Sequence, residues 1–339
     1  MQRIAFLALL FLSFALAARA ETFTDAAGRT VELPARVERI MAAGPPASVL
    51  LYVLAPQKLA GWVHAPSPEE GKLLLPDALK LPELGRLTGK GNAIRADIVT
   101  KAKPDLIIDV GDVSEEYVAL ASRIQNETGV PYILLDGSLA KTPEVFETLG
   151  KVVGEPERGT ELAQYARMTL VKLNAGLAKI PADHRPRVYY GRGADGMQTG
   201  LARSINLELL DALGAVNVVA EKGQGGLTKV TPEEVAKWNP DIIIASDPKF
   251  AAMARSNPAW SGINAVKSGR VFVQPALPFG WFDGPPGVNR LMGIIWLEQL
   301  LYSDVFPTDL RKEAKAFYKA FYQVDLSDAQ FDRLLQDKP

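Results

Sequence analysis

One pattern occurs twice in this 339-residue chain, and it constrains the fold more than any other feature. Residues Asp97 to Ile108 run in register with Glu233 to Ile244, 136 residues later. Each copy has an acid seven positions before a Pro-Asp pair, and an aliphatic run follows: Pro104-Asp105-Leu106-Ile107-Ile108 and Pro240-Asp241-Ile242-Ile243-Ile244. The pattern reads as a helix, a tight turn at Pro-Asp and a strand. An apolar run without alternation predicts a strand buried on both faces, as in parallel sheets. One helix-Pro-Asp-strand unit is common in α/β proteins. Two in register, one in each half of the chain, predict two similar lobes.

The remaining segments fit an α/β layering. A hairpin is expected over Thr22 to Glu32, turning at Ala27-Gly28-Arg29. A strand from Val37 to Met41 leads to the Gly44-Pro45-Pro46 loop and a helix from Ser48 to Leu54. Strands are expected at Leu59–Val63, Asp105–Val110 and Tyr132–Leu135, with a helix from Glu115 to Thr128 that stops at Gly129. Glu157 to Ile180 is the longest helical stretch, with Pro156 suited to its first position and Pro181 just past its end. Leu162, Tyr165, Ala166, Met168, Leu170, Leu173 and Leu177 give it an apolar stripe. At 1.5 Å per residue it spans about 35 Å, nearly a domain's width. Beyond it the alternation restarts: strand Arg187–Tyr190, helices Ile205–Leu213 and Pro232–Lys237, strands Asp241–Ala245 and Arg270–Val273, then a mainly helical tail from Gly287 to Leu335.

The N-terminus reads as a secretory signal peptide, residues 1–20. Arg3 precedes an uncharged stretch from Ile4 to Ala18, and Ala18-Arg19-Ala20 is a small-x-small cleavage pattern before Glu21. Export, to a periplasm, is therefore expected. Lys+Arg 38 against Asp+Glu 39 leaves no basic field for nucleic acid. With no Cys and two His, neither a thiolate centre nor a three-histidine metal cage can be built. Gly-x-Ser-x-Gly and the P-loop are absent. Gly191-Arg192-Gly193-Ala194-Asp195-Gly196 fits a dinucleotide fingerprint in spacing, but no clear helix opens there. The chain is therefore expected not to be an enzyme and to carry no resident cofactor.

The sequence resembles the cluster A (class III) substrate-binding proteins of ABC importers, which take up chelated iron, haem, cobalamin and some metals or oxyanions. The resemblance is carried by the opening hairpin Thr22 to Val31, by Arg39-Ile40-Met41 and Leu59-Ala60-Gly61-Trp62, by the two Pro-Asp motifs, and by Asn289-Arg290-Leu291 and Phe321-Tyr322. It implies an N-terminal lobe (21–155), one connecting helix (156–181) and a C-terminal lobe (182–339), with the ligand between the lobes and little hinge closure. It also implies a monomer that docks on a permease dimer in the inner membrane. By register, Asp97 and Glu233 are the positions that would meet permease arginines. Glu233 has a second role open to it: Thr231-Pro232-Glu233-Glu234 is a good helix start, where an acid favours the positive end.

Ligand contacts in that family lie on loops at the facing ends of the lobes, and four segments here suit them. Gly44 to Ser48 offers backbone N–H groups at a helix start. Trp62-Val63-His64 brings a histidine, which is either a hydrogen-bond donor or metal ligand, or a surface loop residue. Tyr189 and Tyr190 precede Arg192, which suits a carboxylate, catecholate or oxyanion unless it is a surface turn residue. Trp281 and Phe282, in Pro278 to Pro286, form either an apolar wall against a planar ligand or part of the lobe core. His184 lies in a polar connector. The two histidines cannot hold a bare transition metal, so the expected ligand is a chelated metal, foremost a ferric siderophore, then haem or cobalamin. The alternative is a molybdate- or tungstate-type oxyanion.

Overall fold

The computed structural model describes residues 21–88 and 96–335. The expected signal peptide, 1–20, lies outside them. The N-terminal hairpin forms as expected from β1 (Thr22–Thr24) and β2 (Thr30–Glu32). Asp25 holds its turn, accepting from the Ala27 and Arg29 N–H groups at 3.0 Å each. The first sheet is parallel, with β3 (Ile40–Ala42), β4 (Leu106–Gly111) and β5 (Tyr132–Asp136) side by side. The second half supplies β6 (Arg187–Gly191), β7 (Gln198–Gly200), β8 (Val216–Asn217), β9 (Leu227–Lys229), β10 (Ile242–Ala245) and β11 (Val271–Val273). Four of these form a second parallel sheet in the order β11-β10-β6-β8, while β7 and β9 pair as a separate antiparallel ribbon.

The repeated pattern has a common physical basis in both lobes. The helices Ala96–Ala102 and Pro232–Trp238 each end at a residue of positive φ, Lys103 at 47° and Asn239 at 46°. The following Pro-Asp then starts β4 or β10. Asp105 Oδ2 accepts from the Glu38 and Arg39 N–H groups at 2.8 Å, and Asp241 Oδ2 accepts from Arg187 N–H at 3.0 Å. The same arginines close the far side. Arg39 donates to the Ala102 carbonyl at 2.7 Å, and Arg187 to that of Trp238 at 2.9 Å, satisfying helix-end acceptors. Each Pro-Asp thus pins the start of the neighbouring parallel strand and sets its register.

Three elements differ from expectation. Leu59–Val63 forms isolated bridges rather than a strand, with Ile40 against Leu59 and Trp62 against Glu83. The helix expected at Ser48 begins at Pro45, since proline fits the first turn. The longest helix runs Pro156–Leu177, between the two sheets in sequence, and Met168 lies on its outer face, 66% exposed. Leu162, Ala166 and Leu173 are buried as the stripe predicts, and Ala163 is buried beside them. The helix packs closely on Thr142–Val152 because both are glycine at the crossing: a Cβ on Gly159 would lie 2.5 Å from the Phe146 carbonyl.

The tail is not confined to the second lobe. The helical turn Tyr318–Tyr322 packs on Pro45–Leu54 of the first, where Tyr52 donates to the Tyr322 carbonyl at 2.8 Å. Arg290, buried at the start of the helix Arg290–Tyr302, ties the lobes together. Its Nη2 donates to the Gly137 carbonyl at 2.7 Å and its Nη1 to Glu208 Oε2 at 2.6 Å, while Glu208 Oε1 accepts from Leu139 N–H at 2.8 Å. The largest apolar cluster accordingly runs through both lobes, from Leu106 and Ile133 to Val188 and Ile242.

Glu298, on the same helix, is buried and neither carboxyl oxygen has a hydrogen-bond partner. Burial pushes its carboxyl up to about 7, with Lys172 pulling the other way. Between the ordinary value and about 7 the unfolded chain ionises Glu298 while the folded chain keeps the proton. Its contribution is therefore complete at low pH and lost as pH rises through 7, by roughly 3 kcal/mol in all. Glu298→Gln is expected to stabilise the protein by about that amount at pH 8 and to leave it little changed at pH 4. Urea denaturation at the two pH values measures the difference, and equal gains at both would contradict this account.

Candidate functional site

The carboxyl ends of both parallel sheets open onto one cleft of about 620 Å³, the position where open α/β sheets present ligand-binding loops. From the first lobe come Pro45 and Pro46 after β3, Asp109 to Asp112 at the end of β4, Tyr117, and the segments containing Trp62 to Pro66 and Arg86 to Thr88. The second lobe contributes Arg192 just past β6, Asn206, Leu227 of β9, and Pro278, Phe279 and Asp283 to Pro286 after β11.

The candidate residues separate into two groups. Trp62, His64 and Arg192 line the cleft. Trp62 is nearly buried in its back wall; its indole N–H donates to the Ala78 carbonyl at 2.8 Å, and its ring lies 5.5 Å from Tyr52 and 6.2 Å from Phe279. His64 stands on the rim, its side chain 67% exposed and Nδ1 4.0 Å from Glu83. Arg192 is held rather than loose. Nε makes a 2.6 Å ion pair with Asp283 and Nη1 donates to Gln198 at 2.8 Å. The Tyr190 hydroxyl also lies within hydrogen-bond reach of the guanidinium, and the side chain is 24% exposed.

Tyr189, Tyr190, Trp281 and Phe282 do not line the cleft. Successive residues of β6 point to opposite faces, and both faces of this sheet are covered. Tyr189 therefore enters one core beside Phe250, donating to the Gly196 carbonyl at 2.5 Å. Tyr190 enters the other, where it donates to Asp283 Oδ2 at 3.3 Å. Phe282 packs on Tyr190 at 4.3 Å, and Trp281, 0% exposed, donates to Tyr318 Oη at 3.3 Å. The loop folds this way because Gln274 Oε1 accepts from both Phe282 and Asp283 N–H groups, at 2.9 and 2.8 Å. That inward turn leaves Phe279 as the aromatic at the cleft, a residue hidden in the sequence because an irregular loop has no periodicity to assign faces.

The helix start offers fewer donors than expected. Pro45 and Pro46 carry no N–H, and the Ser48 N–H is engaged by Gly44 at 3.1 Å. The polar lining also includes Arg86, Asp109, Thr88, Tyr117 and Asn206, none of which sequence reasoning singled out. Asp109 carried a signal: it is an acid inside the apolar run from Leu106 to Val110. Arg86 is exposed and pairs with no carboxylate among the described residues. Asp283 is fully occupied, taking Arg192, Asn206 Nδ2 at 3.0 Å and Gly284 N–H at 2.8 Å. After Gly191 the chain makes a turn into β7, so no helix meets the glycine pattern. No group of three or more His or carboxylate side chains is placed to hold a metal ion among the described residues. No helix among them is long and apolar enough to cross a membrane.

Residues 60–277, which reach from the first parallel sheet into the second, match the family described as periplasmic binding protein. The chain belongs to that family. A solved ABC transporter solute-binding protein from Sulfurospirillum deleyianum superposes with a TM-score of 0.82 at 30% identity, covering 93% of this chain and 99% of that one. Among curated proteins, the molybdate-binding protein MolA of Haemophilus influenzae is 25% identical over 88% of this chain and 90% of its own. The Fe(3+)-citrate-binding protein YfmC of Bacillus subtilis is 26% identical over 52% of this chain and 55% of its own. As a periplasmic binding protein of the ABC-importer type, the chain works outside the cytoplasmic membrane, in the periplasm or extracellular space. Its partner is a membrane permease. The class is one of solute carriers rather than enzymes.

Burial assigns Trp281 to stability. Trp281→Ala is expected to lower the unfolding free energy by about 3–5 kcal/mol. A denaturation midpoint unchanged from wild type would contradict its place in the core.

Proposed function

We propose that this binding protein captures a chelated metal, foremost an anionic ferric siderophore and then haem or cobalamin, and hands it to the permease dimer of an inner-membrane ABC importer. The observation that carries this reading is the cleft itself. A volume of about 620 Å³ falls in the range that encloses a ligand of many atoms. Arg86, Arg192 and His64 supply positive or donor groups from both lobes, and Phe279 and Trp62 supply an apolar wall. A second reading, a molybdate-type oxyanion, is favoured by the likeness to MolA and by the burial of Trp281 and Phe282, which takes two aromatic rings from the chelate's side of the argument.

Calorimetry against a ferric catecholate siderophore, haem, cobalamin, ferric citrate, molybdate and tungstate separates the readings. Tight binding of a chelate with no response to the oxyanions is the expected result, and the reverse pattern establishes the second reading. With the ligand that binds, Arg192→Ala is expected to weaken affinity by about 1.5–3 kcal/mol, the range of a charge-assisted hydrogen bond. That is roughly 10- to 150-fold. Affinity equal to wild type would remove Arg192 from the site.

The same proposal takes residues 21–155 and 182–339 as the lobes about a connector at 156–181, residues 1–20 as a cleaved leader, and the monomer as the working form. It gives Asp97 and Glu233 to permease docking. Both lie in the first turn of equivalent helices, one per lobe, and both are exposed. Glu233 also takes part in its own helix start: its own backbone N–H and the Thr231 hydroxyl hold its carboxyl below the usual range. Uptake in cells carrying Asp97→Ala with Glu233→Ala is expected to fall well below either single variant while ligand affinity stays at wild type. Normal uptake by the double variant would end the docking assignment.

A further inference from the structure

β4 is apolar until Asp109, which stands near the carboxyl end of the central strand of the first sheet, in the cleft lining and 5% exposed. A carboxyl group taken from water to this degree is costly unless it is paired or neutral. Asp109 has no Lys, Arg or His within ion-pair distance among the described residues. Its Oδ2 accepts from the Tyr132 hydroxyl at 3.1 Å. Gly44 lies beside Oδ1: a Cβ there would stand 3.9 Å from Oδ1, in ordinary contact, but only 2.7 Å from Thr88 Oγ1.

The charges around it do not neutralise it. Tyr132 faces it from β5, and Tyr117 from the helix Glu115–Thr128, with Asp112 adding negative charge on the following loop and Arg86 lying toward Tyr117. The helix Pro45–Leu54 carries no charged side chain. Arg29, behind Tyr132, is already bound by Asp25 at 2.8 Å. Across the cleft Arg192 is paired with Asp283.

We propose that Asp109 is a ligand contact that carries its own proton, donating a hydrogen bond to an acceptor oxygen of the captured anion, so that capture takes up a proton from solvent. This rests on the reading of the cleft as a site for an anionic, oxygen-bearing ligand, and it narrows that class to ligands that turn an oxo, carboxylate, hydroxamate or catecholate oxygen toward β4. Burial pushes the Asp109 carboxyl up to about 6 before any ligand arrives, the hydrogen bonds from the Tyr132 hydroxyl and the Val110 N–H opposing it. An anion beside it raises it further. Near pH 7 the free protein is then largely ionised at this position and the complex is protonated. Affinity falls as pH rises, by up to tenfold per unit between the two titrations.

The test uses the mature protein and three probes, a ferric catecholate siderophore, ferric citrate and molybdate; molybdate is a dianion across the range used. Wild type and Asp109→Asn are titrated calorimetrically at pH 5.5, 7 and 8, each in two buffers of different ionisation enthalpy. For a probe that binds, wild type is expected to take up a proton at pH 7 and to lose roughly tenfold or more in affinity between pH 5.5 and 8. Asp109→Asn, whose amide donates at every pH, is expected to lose both effects while retaining the low-pH affinity. Equal proton uptake in the two proteins, or none in wild type, overturns the assignment of Asp109 and leaves the ligand class standing. Binding of none of the three probes to either protein at any pH removes the anionic-ligand reading and this proposal with it. Should Asp109→Asn fail to fold, Asp109→Ser, whose hydroxyl also donates at every pH, takes its place in the same titrations.

Discussion

The fold depends on one interaction made twice: an aspartate that follows a proline and holds backbone N–H at, or just before, the start of the neighbouring strand. Parallel strands have no hairpin to set their register, so something outside the ladder must. Asp105 does this for β3 and Asp241 for β6, each aided by an arginine that caps the preceding helix. With register set at the amino ends, the carboxyl ends of the strands fall where the cleft is. Asp109 and Arg192 reach it because their strands were started in the right place.

This also explains which parts could be read in advance. The Pro-Asp units, the hairpin and the long helix are local in origin, so spacing and end signals were enough to find them. The residues facing the ligand depend instead on how irregular loops turn. Trp281, Phe282 and Phe279 are indistinguishable as neighbours in a Gly/Pro-rich loop, and a distant side chain, Gln274, decides which two go inward. Tyr189 and Tyr190 looked like a paired surface because they end a strand. In a sheet covered on both sides, alternation buries each of them on a different face. Arg192 and Asp109 were equally long-range in their environment: the first is shaped by Asp283, the second by Tyr132.

The cleft combines two kinds of group. Arg192 is clamped by Asp283 and Gln198, so a contact made by its guanidinium would cost little further freedom. Rigid donors of this kind favour one geometry of acceptor oxygens. The apolar wall of Trp62 and Phe279 continues inward through Tyr52 and Tyr322 to Phe317 and Phe321, ring on ring. The wall of the site is thereby the outer edge of the core, and its rings cannot shift without disturbing the packing behind them.

The return of the tail to the first lobe has a consequence for how far the lobes can act separately. The two similar lobes share a strap that begins at Arg290 and ends against Tyr52. Neither lobe has a complete core without the other's contribution. A change at the joint beneath the sheets therefore alters both lobes at once.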